Sequence, residues 1–217
     1  MSRSFHTHPA TVPVIADRPL LIVDADEVIL RFADGFDQFL SERDLFLDLT
    51  TYRLHGNVKR KSDSLAVLDV EVTALLDEFR ADLDWLEEVE GAADALRGFM
   101  PSMNVVVLSN VNEMQAPARL RNFAKHNLPV PLIVNSGLKG PAVKALAARA
   151  AAPTFFVDDI PSHLESVAQT APDVFRIHLI GDERLKRLLP PSPHAHLRAE
   201  NWREAENFIR AKLAEKS

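Results

Sequence analysis

The chain has 217 residues, 47% hydrophobic and 26% charged, with a formal net charge of −6. That is the balance of a globular protein with room for one full α/β domain and a modest insertion, not of a disordered chain or of two large domains. The acidic charge argues against a general nucleic-acid binder, which needs a basic face, but allows a local basic pocket for a small anion. No cysteine is present, which excludes disulfides, thiolate metal sites and cysteine nucleophiles.

Residues 1–18 read as an irregular arm, polar and proline-punctuated, without the apolar stretch of a signal peptide. The longest apolar runs, PLLIV and VVVL, are far too short to span a bilayer. A cytoplasmic protein without membrane association is therefore expected. The first element is Pro19-Leu20-Leu21-Ile22-Val23, an unbroken apolar run ending in Asp24, as suits a strand buried on both faces. Residues 35–90 break the strand rhythm. They show only helical periodicity through Phe36, Phe39, Leu40, Leu65, Leu68, Val72, Leu75, Leu76 and Phe79, with a polar, basic loop from Thr50 to Asp63. This reads as a helical insertion after the first strand.

Strands and helices then alternate. A helix from Ala92 to Phe99 precedes a strand, Asn104 to Leu108, that ends in Ser109, and a helix follows from Ala116 to His126. Val130 to Val134 is a further strand, and Pro141 opens a helix running to Ala150. Thr154 to Val157 ends in the pair Asp158-Asp159 and is followed by a helix from Ser162 to Thr170. Val174 to Ile180 reads as a strand nearer an edge, Pro190-Pro191-Ser192-Pro193 as a rigid turn, and Trp202 to Ala214 as a final amphipathic helix. The expected fold is α/β: a Rossmann-like parallel sheet between helices, formed by 19–34 and 91–217, with 35–90 inserted.

Ligands of open parallel sheets bind beyond the carboxyl ends of the strands. Three of the strands end in Asp24, Ser109 and Asp158-Asp159, and Lys139 precedes a helix after a fourth. If these strands are neighbours, carboxylates, a hydroxyl and an ammonium meet in one crevice. An all-oxygen donor set suits a hard cation such as Mg²⁺, which offsets repulsion between an anionic nucleophile and a phosphate. Asp24 is placed to attack phosphorus, Asp26 to act as general acid and then base, and Ser109 and Lys139 to hold phosphoryl oxygens.

Asp24-Ala25-Asp26-Glu27-Val28 resembles the first motif of the haloacid dehalogenase (HAD) superfamily, DxDx[T/V] after an apolar strand. Leu108-Ser109-Asn110, Gly137-Leu138-Lys139-Gly140-Pro141 and Phe156-Val157-Asp158-Asp159 resemble the second, third and fourth motifs, in order. The resemblance implies Asp24 as nucleophile and Asp26 as acid/base. It implies a metal site from Asp24, the Asp26 carbonyl and Asp159, with Asp158 bound directly or supporting a ligand. Phosphate would be held by Ser109, Asn110 and Lys139. The insertion would be a small cap of the C1 type, which selects the substrate. Dehalogenases of the superfamily lack an aspartate at the position of Asp26, so phosphoryl chemistry is favoured. Many members have glycine where Glu27 stands, in a sharp turn beside the site. Lys144 is a rival to Lys139 but lies a helical turn too late.

The reading is a Mg²⁺-dependent phosphohydrolase acting on a small phosphorylated metabolite through an aspartyl-phosphate, with phosphomutase open within the same chemistry. The alternative is a HAD-fold binding or regulatory protein with little or no turnover, supported by Glu27. A signalling receiver domain is disfavoured by the insertion and the late acidic pair. Lys59-Arg60-Lys61, with Arg53 and His55, reads as a solvated loop in preference to an anion-recognising one. Trp85 and Trp202 read as packing residues, and His194 and His196 lack a third metal ligand. The oligomeric state, monomer or homodimer, stays open.

Overall fold

The computed structural model describes residues 5–215. Its elements in chain order are β1 (Phe5–His6), β2 (Leu20–Val23), α1 (Phe32–Ser41), β3 (Leu45–Leu47), β4 (Val58–Arg60), α2 (Asp69–Ala81), α3 (Ala92–Phe99), β5 (Asn104–Ser109) and α4 (Ala116–Lys125). Then come β6 (Leu132–Val134), α5 (Gly140–Ala150), β7 (Thr154–Asp158), α6 (Pro161–Thr170), β8 (Phe175–Leu179), α7 (Glu183–Leu188), β9 (Leu197–Ala199) and α8 (Trp202–Ala214).

Seven strands form one sheet in the order β1-β6-β5-β2-β7-β8-β9, every pairing parallel. The middle of this sheet is β5-β2-β7, in which every residue is buried. Register explains why a continuous apolar run suits it. Leu21 pairs with Val105 and Phe155, and Val23 with Val107 and Val157; these residues face one core together with Leu96, Phe123 and Trp202 of α3, α4 and α8. The alternate residues Leu20, Ile22, Val106, Leu108 and Phe156 face the other, with Val143, Leu146, Leu164 and Val167 of α5 and α6. Helices cover both faces, so neither half of the side-chain alternation meets water, and full burial of each large apolar side chain stabilises by roughly 1.5–3 kcal/mol.

The expected α/β architecture is the one observed, with differences in detail. The arm at 1–18 is not wholly irregular: Phe5 and His6 add a strand beside Leu132 and Ile133, through backbone pairing that a two-residue segment leaves no periodic trace of. Residues 1–4 lie outside the described residues. Beyond β8 lies the short edge strand β9, and the six-residue α7 is set by Asp182, whose carboxylate accepts from the backbone N–H of Arg184 and Leu185.

The insertion is not purely helical. Between α1 and α2, β3 and β4 pair antiparallel, Phe46 opposite Lys59, in strands of three residues too short for a pattern window. Leu65 and Leu68, expected on a buried helical face, are 58% and 67% exposed, because α2 starts only after Leu68. The rest of the expected apolar face holds: Phe79 packs on Phe36, Phe39 and Trp85 at centroid separations of 5.2, 5.5 and 5.9 Å. No helix among the described residues is long and apolar enough to cross a membrane.

The approach of α5 to α6 fixes the loop that carries Lys139. A Cβ added at Gly140 would lie 2.4 Å from Ser166 Oγ and 2.5 Å from both the Ser166 carbonyl oxygen and Thr170 Oγ1. The carbonyl cannot rotate aside, so Gly140→Ala should destabilise the fold by about 1–3 kcal/mol. Urea denaturation measures this, and an alanine variant with the wild-type midpoint would contradict the close contact.

Candidate active site

At its carboxyl edge, the sheet brings β2, β5 and β7 together. Asp24 follows β2 directly, and its backbone N–H still donates to the Val157 carbonyl at 2.9 Å, so the ladder holds the first carboxylate in place. Lys139 comes from the loop before α5, where Gly137 takes a positive φ of 75° that a side chain would resist. Its Nζ lies 2.7 Å from Asp24 Oδ1 and 2.8 Å from Asp158 Oδ2, and the residue has no exposed surface. Asp158 Oδ1 also accepts from the Ile160 backbone N–H at 2.9 Å and lies 3.1 Å from His163 Nδ1. Asp159 accepts a hydrogen bond on Oδ2 from the hydroxyl of Tyr52, which reaches it from the insertion.

Asp24, Asp158 and Asp159 each offer an oxygen within 4.8 Å of the others, all three buried. One ammonium does not neutralise three carboxylates, and the imbalance shows in their proton affinities. Burial pushes Asp24 up to about 6 against the pull of Lys139. Burial acts on Asp158 too, but Lys139 and His163 outweigh it and hold that carboxyl below its ordinary value. Asp159 is raised well above it, by burial and then by repulsion from Asp158 and Asp24. Burial disfavours the Lys139 ammonium, yet Asp158 and Asp24 more than compensate and its proton is held tighter than usual.

Asp159 Oδ1, in this cluster, and Ser109 Oγ, at the end of β5, are buried without a hydrogen-bond partner among the described residues. An orphaned carboxylate oxygen in an over-acidic, all-oxygen cluster fits a divalent cation. The acidic triad is thus a candidate metal site.

The remaining expected site residues are placed as follows. Asp26 lines one cavity with Asp24, Lys139 and Asp159, but its Oδ1 is 2.6 Å from Nη2 of Arg119, a fully buried arginine on α4. Asn110 is exposed; its Nδ2 donates to the Gly137 carbonyl at 3.0 Å and its Oδ1 accepts from Asn135 at 2.7 Å, bracing the Lys139 loop. Lys144 is exposed on α5, away from the cluster. Trp202 is buried and donates from Nε1 to the Val28 carbonyl at 2.8 Å, as a packing residue does.

Three residues escaped the sequence reading: Tyr52, Arg119 and His163. A signal for Arg119 existed. It lies on the face of α4 defined by Ala116, Leu120 and Phe123, where an unpartnered charge would not be tolerated. Tyr52, the chain's single tyrosine, sits in a loop with no periodicity to mark it.

Glu27 adopts φ +58°, which accounts for glycine at this position in the resembled motif. Its Oε1 accepts from the backbone N–H of Ala33 at 2.6 Å, in the first turn of α1, and its carbonyl accepts from Gly181 at 2.6 Å. The side chain therefore anchors the insertion to the turn. Burial pushes its carboxyl up to about 8, with Asp182 and Asp26 adding repulsion against the Ala33 bond.

No protein-family model and no curated protein matches the sequence. Solved structures do match. A haloacid dehalogenase-like family hydrolase from Streptococcus pneumoniae aligns with a TM-score of 0.59 at 10% identity, over 89% of this chain and 99% of that one. A second, from Xanthomonas campestris, gives 0.56 at 14% identity, over 94% and 97%. A defluorinating L-2-haloacid dehalogenase gives 0.59 at 12% identity, over 95% and 99%. The chain has the α/β fold of haloacid dehalogenase-like hydrolases.

Glu27 yields a prediction for the protein in buffer containing a chelator. Between its ordinary value and about 8, the unfolded chain has lost this proton while the folded chain keeps it, so stability falls as pH rises. The slope from this group is on the order of 1 kcal/mol per pH unit at most. Glu27→Gln keeps an acceptor for Ala33 and removes the titration. Its stability relative to wild type should rise from pH 5 to pH 8 in denaturant titrations; a pH-independent difference would contradict the buried-carboxyl assignment.

Proposed function

We propose that this chain is a Mg²⁺-dependent phosphohydrolase that cleaves a small phosphorylated metabolite through an aspartyl-phosphate on Asp24. The observation that supports it most is the convergence at the carboxyl edge of the sheet of Asp24 and Asp158, both ion-paired with Lys139, and Asp159, whose oxygen lies within 4.8 Å of theirs. Magnesium held by Asp24, Asp159, Asp158 and the Asp26 carbonyl would supply positive charge that screens the phosphoryl group from the carboxylates.

The chain's own residues then have separate tasks. A carboxylate oxygen of Asp24 attacks phosphorus, forming an acyl-phosphate bond as the phosphorus–oxygen bond to the leaving group breaks. Asp26 donates a proton to the departing oxygen; in the second step it takes a proton from water, whose oxygen attacks phosphorus and frees Asp24. Arg119 binds Oδ1 of Asp26, and Oδ2, which has no partner among the described residues, is left to carry the proton. Ser109, whose hydroxyl is unpartnered, and Lys139 would hold the phosphoryl oxygens as negative charge grows there. Asn110 would act beside them by keeping the Lys139 loop in place. Passing the phosphoryl group to an acceptor instead of water would make the protein a phosphomutase.

A second reading, a binding protein with little turnover, draws on Glu27, whose buried carboxyl ties down the turn that many members of the resembled family build with glycine. The two separate in one assay. Release of phosphate from an aryl phosphate should require Mg²⁺, stop on chelation and fall at least roughly a thousandfold in Asp24→Asn. Folded, Mg²⁺-loaded wild type no faster than Asp24→Asn would favour the binding role.

A further inference from the structure

The insertion holds six lysines and arginines among a larger number of carboxylates, and most of these cations are committed to partners within it. Lys59 pairs with Asp48 at 2.5 Å, Arg60 with Asp63 at 3.2 Å and Arg43 with Glu78 at 2.6 Å. Lys61 is hydrogen-bonded to Ser41, and His55 to Thr73. The basic run singled out in the sequence is thus largely committed to holding the hairpin. Arg53 and Arg80 are the exceptions: the backbone carbonyl of Arg53 accepts from Asn57 Nδ2 and Arg80 lies in α2, but neither guanidinium has a hydrogen bond or a carboxylate partner among the described residues.

Both arginines line the cavity of about 230 Å³ that also contains Asp24, Lys139 and Asp159. They come from different parts of the insertion, Arg53 from the loop between β3 and β4, Arg80 from the last turn of α2. The guanidinium carbon of Arg80 stands 5.7 Å from the centroid of Phe32, which lines the same cavity and gives the cation an aromatic surface to rest on. Arg53 is exposed and Arg80 half-buried, and two arginines unpaired with any carboxylate on the lining of one small cavity match the planar, two-oxygen geometry of a carboxylate or phosphate. The cavity is smaller than the roughly 300 Å³ at which pockets for drug-sized ligands begin, so a compact ligand fills it.

We infer that Arg53 and Arg80 form a subsite for a second anionic group, a carboxylate or a further phosphate, on the same substrate whose phosphoryl group meets Asp24. The substrate class is then small phosphorylated acids or bisphosphorylated compounds, in preference to phosphate esters of neutral alcohols. The inference rests on the phosphohydrolase reading of this site, and a binding experiment separates the two.

Calorimetric titration of the full, Mg²⁺-loaded chain would compare phosphonoacetate and methylenediphosphonate with ethylphosphonate, which lacks the second charge. At least one doubly anionic probe should bind about tenfold tighter than ethylphosphonate, and which one it is distinguishes carboxylate from phosphate. Arg53→Gln combined with Arg80→Gln, which keeps the aliphatic stems, should reduce that preference to about twofold or less while leaving ethylphosphonate affinity within about twofold of wild type. The corresponding lysine pair should retain part of the preference. Equal affinity for all three probes, no binding of any, or a variant that weakens all three alike would each overturn the subsite. If the preference holds while aryl phosphate is not hydrolysed, the subsite stands and the phosphohydrolase reading falls.

Discussion

Lys139 places an ammonium, without exposed surface, between the carboxylates of Asp24 and Asp158. Removing one partner from a buried ion pair costs about 3–5 kcal/mol because it strands the other charge away from water. That constraint organises the active end of the molecule. Gly137 turns the chain so that the lysine points inward, Gly140 lets α5 close on α6, and Ile160 and His163 share the remaining valences of Asp158. Burial and the neighbouring carboxylates raise the proton affinity of Asp159, which accepts a hydrogen bond from the hydroxyl of Tyr52 in the insertion. The charge cluster and the insertion are therefore physically joined.

The sheet explains why these groups meet. β2 lies between β5 and β7 with both faces covered, so its four residues are apolar until the chain leaves the sheet, and the first residue to leave is Asp24. The turn that follows is tight. Glu27 takes a left-handed conformation that costs roughly 1–2 kcal/mol, offset by its bonds to Ala33 and Gly181. That turn leads straight into α1, and Arg119 pins Asp26 within it. Asp24, Asp26 and the start of the insertion are thus fixed by one short loop.

Most of this was legible in the sequence, for a physical reason. Strands buried on both faces read as uninterrupted apolar runs, so Leu20–Val23, Asn104–Ser109 and Thr154–Asp158 announce themselves, and the polar residue that ends each marks the edge of the sheet. Helices with one apolar face, such as Ala92–Phe99 and Trp202–Ala214, are equally plain. What stayed hidden depends on contacts distant in sequence. Phe5 and His6 become a strand only because β6 offers a free edge, and the β3–β4 hairpin is held by ion pairs within the insertion. Tyr52 reaches Asp159 across 107 positions, and Arg119 reaches Asp26 across 93. Of the basic loop, sequence identified the charges but not that Lys59 and Arg60 would be neutralised locally and Arg53 left over.

The most direct test of the account is to look for the phosphoryl group on Asp24. Mg²⁺-loaded protein turning over an aryl phosphate would be quenched in acid, digested, and its peptides weighed by mass spectrometry. The account predicts a phosphoryl adduct on Asp24 that disappears in Asp24→Asn and fades when substrate is exhausted. Rapid phosphate release with Asp24 unmodified at every quench time, or an adduct on another residue, would contradict it.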